Sequence, residues 1–165
     1  MIKFGTGGFR GIIGDDFTKE NVQKIAQALS IIIKKEKSQK SVSLGYDFRF
    51  MSENFAQWFC EVLIGNGIKV LFFDRATPTP SVMYSVIRNK QDFGVMITAS
   101  HNPSVYNGVK IFVENGKDAS VKFTNELESL INSNIEIIST DFSKGLEAKL
   151  VEMYDGLSIM YLTSF

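Results

Sequence analysis

The sequence predicts an α/β domain, a layered α/β/α arrangement with a mixed, mainly parallel sheet flanked by helices. Three observations predict it. Segments with helical apolar spacing alternate with short apolar runs, the pattern of layered α/β folds. The runs Ile68–Phe73 and Phe93–Thr98 lack polar alternation, as strands buried on both faces do. Only nine residues separate Phe93–Thr98 from the next apolar run, Gly108–Val113. That is too short for a right-handed helical crossover, so this pair is expected to be antiparallel and the sheet mixed.

The elements follow in order. The first 17 residues are glycine-rich and without clear periodicity. Thr18 then reads as an N-cap, because its side chain can accept from a free amide of the first helical turn. Val22, Ile25, Ala26, Leu29, Ile32 and Ile33 recur at helical spacing to about residue 35, and Lys34, Lys35 and Lys37 suit the negative pole of that helix. Ser41–Tyr46 reads as a strand. Ser52 is expected to cap a second helix with Phe55, Trp58, Phe59, Val62 and Leu63 on its apolar face, stopped by Gly65 and Gly67. Thr77-Pro78-Thr79-Pro80 forces a turn, and Pro80 suits the first position of a helix running to about Asn89. A helix from about Lys122 to Asn132 carries Phe123, Leu127, Leu130 and Ile131 on one face. Ile135–Ser139 reads as one more strand, and Leu146–Leu162 has helical character.

Residues 1–140 are therefore taken as the α/β/α domain and 141–165 as a linker or the start of a second domain. A dense apolar group between Met153 and Phe165 gives the expectation that the chain continues into something it packs against.

Bulk properties narrow the function classes. Lys and Arg number 18 against 18 Asp and Glu, so no global charge favours nucleic acid or an anionic membrane. The single cysteine, Cys60, cannot form an internal disulfide, and it lies beside an apolar helix face where packing is its expected role. The chain opens without a charged-then-apolar leader, and no apolar stretch approaches the length of a membrane span. The expectation is a soluble, cytoplasmic protein.

Four segments could carry chemistry. Thr98-Ala99-Ser100-His101-Asn102-Pro103 follows the apolar run Gly94–Ile97, placing a hydroxyl and the only histidine at the carboxyl end of a buried strand. Ligands of α/β sheets bind at that edge. No Gly-x-Ser-x-Gly elbow is present, and the sole histidine is the serine's immediate neighbour, which argues against a serine hydrolase. Both residues can still face one substrate, and the alternative is a polar turn with a surface histidine. In Phe4–Gly11 the glycines let backbone amides approach a ligand, and Arg10 offers forked donors to a phosphate. The sixth residue counted from Gly5 is Arg10 rather than glycine, so the dinucleotide fingerprint fails, and no P-loop lysine follows. A ligand-free glycine turn is an equal alternative there. Asn107-Gly108 is a turn signal leading into Lys110, either a polar-face residue of a strand or a cation beside whatever Ser100 carries. Asp47 and Arg49 are either an internal ion pair or part of the same rim, and so are Asp74 and Arg75. No Cys/His spacing and no local group of three carboxylates suggests a metal site.

Taken together, FGTGGFRG at 4–11, GYDFR at 45–49, TPTP at 77–80, TASHNP at 98–103 and NGVK at 107–110 resemble, in order, the first domain of the α-D-phosphohexomutase family, the phosphoglucomutases and phosphomannomutases. The resemblance covers roughly residues 2–135, and the opening and the TPTP turn are closer to the bacterial phosphoglucomutase/phosphomannomutase branch than to the glucosamine one.

It implies that Ser100 is phosphorylated in the resting enzyme and exchanges its phosphoryl group with hexose 1- and 6-phosphates through a hexose 1,6-bisphosphate. It implies proton transfer and phosphate contact by Arg10, His101 and Lys110, with Lys110 the first choice as general base. Phosphate or substrate contacts are implied at Thr6, Gly7, Arg10, Asn102 and Lys110. It further implies Mg²⁺, held by one oxygen of the phosphate on Ser100 and by three aspartates of a DGDxDR segment in a second domain, with a hexose 1,6-bisphosphate as activator. DGDxDR does not occur in this sequence. The expected partners are therefore a phosphosugar and the remaining domains of the same polypeptide, with neither nucleic acid nor membrane, and this chain alone is expected to be inactive. The alternative is a stand-alone, non-catalytic phosphosugar-binding module, which would have no need for an exposed serine at this position.

Overall fold

A computed structural model describes residues 2–5, 8–36 and 40–163. Six strands form one sheet: β1 Gly8–Ile12, β2 Ser41–Tyr46, β3 Lys69–Phe73, β4 Phe93–Ile97, β5 Tyr106–Val113 and β6 Val151–Tyr154. Their spatial order is β1-β5-β4-β2-β3-β6. The pairings β4/β2, β2/β3 and β3/β6 are parallel, whereas β5 runs antiparallel to β4 and β1 antiparallel to β5. The sheet is mixed and mainly parallel, as the short β4–β5 connection requires.

Helices α1 Lys19–Glu36, α2 Ser52–Gly65, α3 Thr79–Arg88, α4 Val121–Ile131, α5 Phe142–Glu147 and α6 Gly156–Thr163 complete the layers. Successive strand residues face opposite sides, and two cores result. Val95, Ile97, Ile111 and Phe72 pack with Ile25 and Leu29 of α1, Phe59 and Leu63 of α2 and Leu127 of α4. Met96, Phe112 and Phe73 point the other way, onto Val82 of α3 and Ile159 of α6. Every residue of β2 and β4 is buried, which explains their unbroken apolar or small character.

Local sequence accounts for the starts of α1 and α4 and for the end of α1. The Asn21 amide donates to Thr18 Oγ1 at 3.2 Å, so Thr18 caps α1, and Lys34 and Lys35 fall in its last turn. The Phe123 amide donates to Ser120 Oγ at 3.2 Å at the start of α4. The Phe4 amide donates to the Glu128 carboxylate and ties the opening of the chain to α4.

Several expectations are corrected. Gly8–Ile12, within the stretch read as aperiodic, is a strand: Phe9 and Gly11 are buried and Arg10 and Ile12 exposed, an alternation that glycine conceals. Ser52 does not cap α2 but is its first residue, after a left-handed Met51 at φ 61°. At the other end Asn66 is the C-cap and Gly67, at φ +78°, turns the chain, while Gly65 stays helical. Pro80 occupies the second helical position, after Thr79. Ile135–Ser139 is not a strand, because its neighbours are helices rather than a sheet edge: the Ile138 amide donates to Gln27 Oε1 at 3.0 Å and the Thr140 amide to Glu61 O at 2.9 Å. The helical character over 146–162 is interrupted. α5 ends at Glu147, Lys149 turns the chain at φ 59°, and β6 lies parallel to β3 before α6 begins. The sheet thus runs past residue 140.

Candidate functional site

The chain leaves β2 for β3 on one side and then crosses back to β4 on the other. α2 covers one face and α3 the opposite face, so β2 and β4 flank the point where the winding reverses. At such a point the loops diverge and open a crevice beyond the strand ends. Asp47–Arg49 follows β2 there, and Thr98–Pro103 follows β4.

Two other strands bring in cations. Register places Arg10 opposite Gly108, and Lys110 opposite both Gly8 and Met96. The Thr98 amide donates to Gly108 O at 2.9 Å. A β-carbon at Gly108 would lie 2.6 Å from both Phe9 O and Thr98 O, so glycine is what lets the three strands close around it. The result is a cavity of about 520 Å³ lined by Ser100, Arg10 and Lys110 together with Lys3, Gly5, Gly8, Thr79 and Thr98.

Ser100 has φ 55°, the left-handed conformation that costs a non-glycine residue on the order of 1 kcal/mol or more. Its amide donates to Thr98 Oγ1 at 3.0 Å, and the Thr98 hydroxyl donates to Asp47 Oδ2 at 2.6 Å. Asp47 Oδ1 accepts from Ser52 Oγ at 2.7 Å and from the Arg49 amide at 2.9 Å. Asn107 Nδ2 donates to Ser52 Oγ at 2.9 Å, and Asn107 Oδ1 accepts from the Gly108 amide at 2.8 Å. Arg49 reaches across to the loop carbonyls of Ser100, Asn102 and Pro103 and to that of Tyr106 at the start of β5. Asp47 and Arg49 are therefore both an ion pair (Nε to Oδ2, 3.6 Å) and the frame of the rim.

The structure unites Ser100, Arg10 and Lys110. Asn102 joins them indirectly, its Oδ1 accepting from Arg10 Nη1 at 2.8 Å. His101 Nδ1 lies 3.4 Å from Ser100 Oγ on the exposed side of the loop, outside the cavity lining. Thr6, Gly7 and Lys37 lie outside the described residues. Lys110 is half-buried, its Nζ 3.4 Å from Asp118 Oδ1 and 5.4 Å from the Phe112 ring, so it is a face residue of β5 and a cation of the cavity at once.

Lys3, Thr79 and Asp118 were not singled out by sequence. Thr79 could have been found through its place in the TPTP turn, whereas nothing local marks Lys3 or Asp118.

Asp74 and Arg75 pair with one another and line a second hollow, outside the Ser100 cavity, that Asp47 and Arg49 also line. Arg75 donates to the Asp74 carboxylate at 3.0 Å and, aided by the Gly156 amide, holds its carboxyl below the usual range. In the same hollow burial, with the charges of Glu53 and Asp74, pushes the Tyr46 phenol up to about 12. Burial also pushes the Cys60 thiol up, so it is not a reactive thiolate and its role is packing. Among the described residues no three His, Cys, Asp or Glu side chains form a metal-binding group, and no helix is long and apolar enough to cross a membrane.

Fold and site define an α/β/α domain that presents a rigidly held serine among cations at a topological switch point. Residues 1–137 match the family model for the phosphoglucomutase/phosphomannomutase alpha/beta/alpha domain I, and the chain belongs to that family. It is 35% identical over 136 residues to a phosphoglucomutase of Staphylococcus saprophyticus, covering 81% of this chain and 25% of the relative. It is 30% identical over 149 residues to a phosphoglucosamine mutase of Clostridium acetobutylicum, covering 90% of this chain and 33% of the relative. Among solved structures, a protein of Thermus thermophilus assigned as a phosphomannomutase superposes with a TM-score of 0.81 at 30% identity, over 93% of this chain and 33% of that one. The chain thus spans a quarter to a third of the length of these relatives.

Proposed function

We propose that this chain is the phosphoserine-bearing domain of a hexose-phosphate mutase, with Ser100 as the residue that carries the phosphoryl group. One observation carries the reading: Ser100, in a left-handed loop tied down by hydrogen bonds, opens onto a cavity that also receives Arg10 and Lys110. Phosphoryl transfer depends chiefly on positioning and on offsetting negative charge, and this cavity supplies both.

In the forward half-reaction the bond between phosphorus and Ser100 Oγ breaks, and a bond forms to the free hydroxyl oxygen of a hexose 1-phosphate. The hydroxyl proton leaves to a base, for which Lys110 is the first candidate and His101, at the loop's exposed face, the second. Ser100 Oγ takes up a proton as it leaves phosphorus, so that no net proton is consumed. The resulting hexose 1,6-bisphosphate reorients and returns its other phosphoryl group to Ser100, and hexose 6-phosphate leaves. Arg10, held by Asn102, and Lys110 face the phosphoryl oxygens, with Thr6 and Gly7 as further phosphate contacts implied by the family motif.

This chain's residues do not by themselves fit a Mg²⁺ site: they offer a phosphate on Ser100 and, among the described residues, no carboxylate cluster. No step is assigned to the ion, and its further ligands would belong to other domains of the polypeptide. The relatives, of which this chain covers only a quarter to a third, support such domains. A cytoplasmic setting goes with this reading, as does the unpaired Cys60.

The test is to assay the longer polypeptide for interconversion of hexose 1- and 6-phosphates, with hexose 1,6-bisphosphate present, for the wild type and Ser100→Ala. Turnover that the substitution abolishes is the expected result. Phosphosugar binding without turnover, by a natural chain of this length, would replace the mutase with a binding module.

A further inference from the structure

We propose that Arg49 is a positioning residue for the reaction at Ser100, holding the serine in its left-handed conformation through the backbone of its own loop. The inference rests on the mutase reading for its chemical consequence, and on geometry alone for the positioning. The guanidinium has five N–H donors in a fixed fork. Nη2 donates to Ser100 O and to Asn102 O, each at 2.7 Å, and Nη1 to Pro103 O at 3.0 Å and Tyr106 O at 3.1 Å. Nε faces Asp47 Oδ2 at 3.6 Å. Every donor direction thus goes to the loop that carries Ser100, to the start of β5 where that loop ends, or to the carboxylate that anchors it.

Both sides of Ser100 are fixed from one place. Asp47 holds the amide side through the Thr98 hydroxyl, and Arg49 holds the carbonyl side. A serine in a conformation normally left to glycine persists only where its surroundings over-determine it, and these contacts are what do so here. The Arg49 side chain is only 13% exposed, and it does not line the cavity shared by Ser100, Arg10 and Lys110. It is therefore placed to set where the hydroxyl points rather than to touch the phosphoryl group. Its bonds all go to uncharged carbonyls or to Asp47, so they do not change as the charge on Ser100 comes and goes. A lysine, a point charge with no fork, cannot reproduce them.

The experiment has two arms. In the first, the 165-residue chain is labelled for NMR as wild type, Arg49→Ala and Arg49→Lys. The Ser100 ¹³Cα and ¹³Cβ shifts are expected to leave left-handed values in both variants, while the amides of β2 and β4 stay in place. Guanidinium ion, added well below denaturing levels, is expected to restore the Ser100 shifts in Arg49→Ala but not in Arg49→Lys. Left-handed shifts retained in a folded variant would overturn the proposal, and Arg49→Lys, which keeps the charge, serves if Arg49→Ala does not fold.

In the second arm the longer polypeptide is assayed. The expectation is a kcat lower by about 100-fold, the scale of a misplaced reacting group, with KM changed little. A raised KM at unchanged kcat would make Arg49 a substrate-binding residue instead. Absence of turnover in the wild type would remove the mutase reading and leave the first arm to decide the positioning.

Discussion

At the scale of single residues, the cavity works by convergence from distant parts of the chain. Lys110 comes from β5, Arg10 from β1 and Ser100 from the end of β4, and only sheet register makes them neighbours. Replacing Lys110 with methionine keeps its length and its packing against Phe112 but removes the cation and the candidate base. In the proposed longer polypeptide this substitution is expected to lower kcat by about 10²–10⁴-fold, with Tm little changed. Retained kcat in steady-state assays would shift the proton transfer to His101.

The three residues were legible in the sequence because each belongs to a short contiguous motif with its own chemical signature. The frame behind them was not. Arg49 and the loop carbonyls lie more than fifty positions apart, and Asp118 reaches Lys110 only because the chain doubles back on β5 after a turn. Sequence could offer Asp47 and Arg49 as a pair or as rim residues, and in the folded protein they are both.

At the scale of elements, glycine both builds the site and hides it. Gly108→Ala is expected to push β1 and β4 away from β5, since its new methyl would meet two carbonyl oxygens. Overpacking of this kind costs about 1–3 kcal/mol, measurable as a lower denaturation midpoint at unchanged slope. No loss of stability would mean that the strands can separate freely there. The same small residues made β1 unreadable, because a strand whose buried positions are Phe9 and Gly11 shows no apolar alternation. β6 was missed for a different reason: it is four residues long and lies within a stretch whose apolar residues also fit a helix.

The start of α6 carries a pH dependence. The Ser158 side chain and backbone amide and the Leu157 amide donate to the Asp155 carboxylate, which lowers its pKa. Arg75 and the Gly156 amide do the same for Asp74. A carboxylate held below its ordinary value of about 4 contributes stability that is fully present above that pH and is lost as pH falls through the lower, folded value. The Gly156 and Ser158 amide resonances are therefore expected to stay constant through neutral and mildly acidic pH and to move only below about pH 4. An inflection between pH 5 and 7 would contradict the assignment of these caps.

At the scale of the molecule, the winding of the sheet determines where chemistry can occur. β2 and β4 are buried along their whole length, and the reversal of winding between them opens an edge at which a polar loop can remain exposed on a rigid base. The alternation of helices and strands and the short β4–β5 connection made this layered, mixed sheet readable from sequence. The strand order was not, since it depends on crossovers that leave no local mark. The position of Ser100 at that edge, among Arg10 and Lys110, is what ties the fold to the proposed phosphoryl transfer.

The most direct test is to incubate the proposed longer polypeptide with hexose 1,6-bisphosphate carrying a radiolabelled phosphate and to map the label. Label is expected on the peptide containing Ser100, to be chased into hexose 6-phosphate on adding unlabelled hexose 1-phosphate, and to be absent in Ser100→Ala. Label on another residue, or turnover that survives Ser100→Ala, would contradict it.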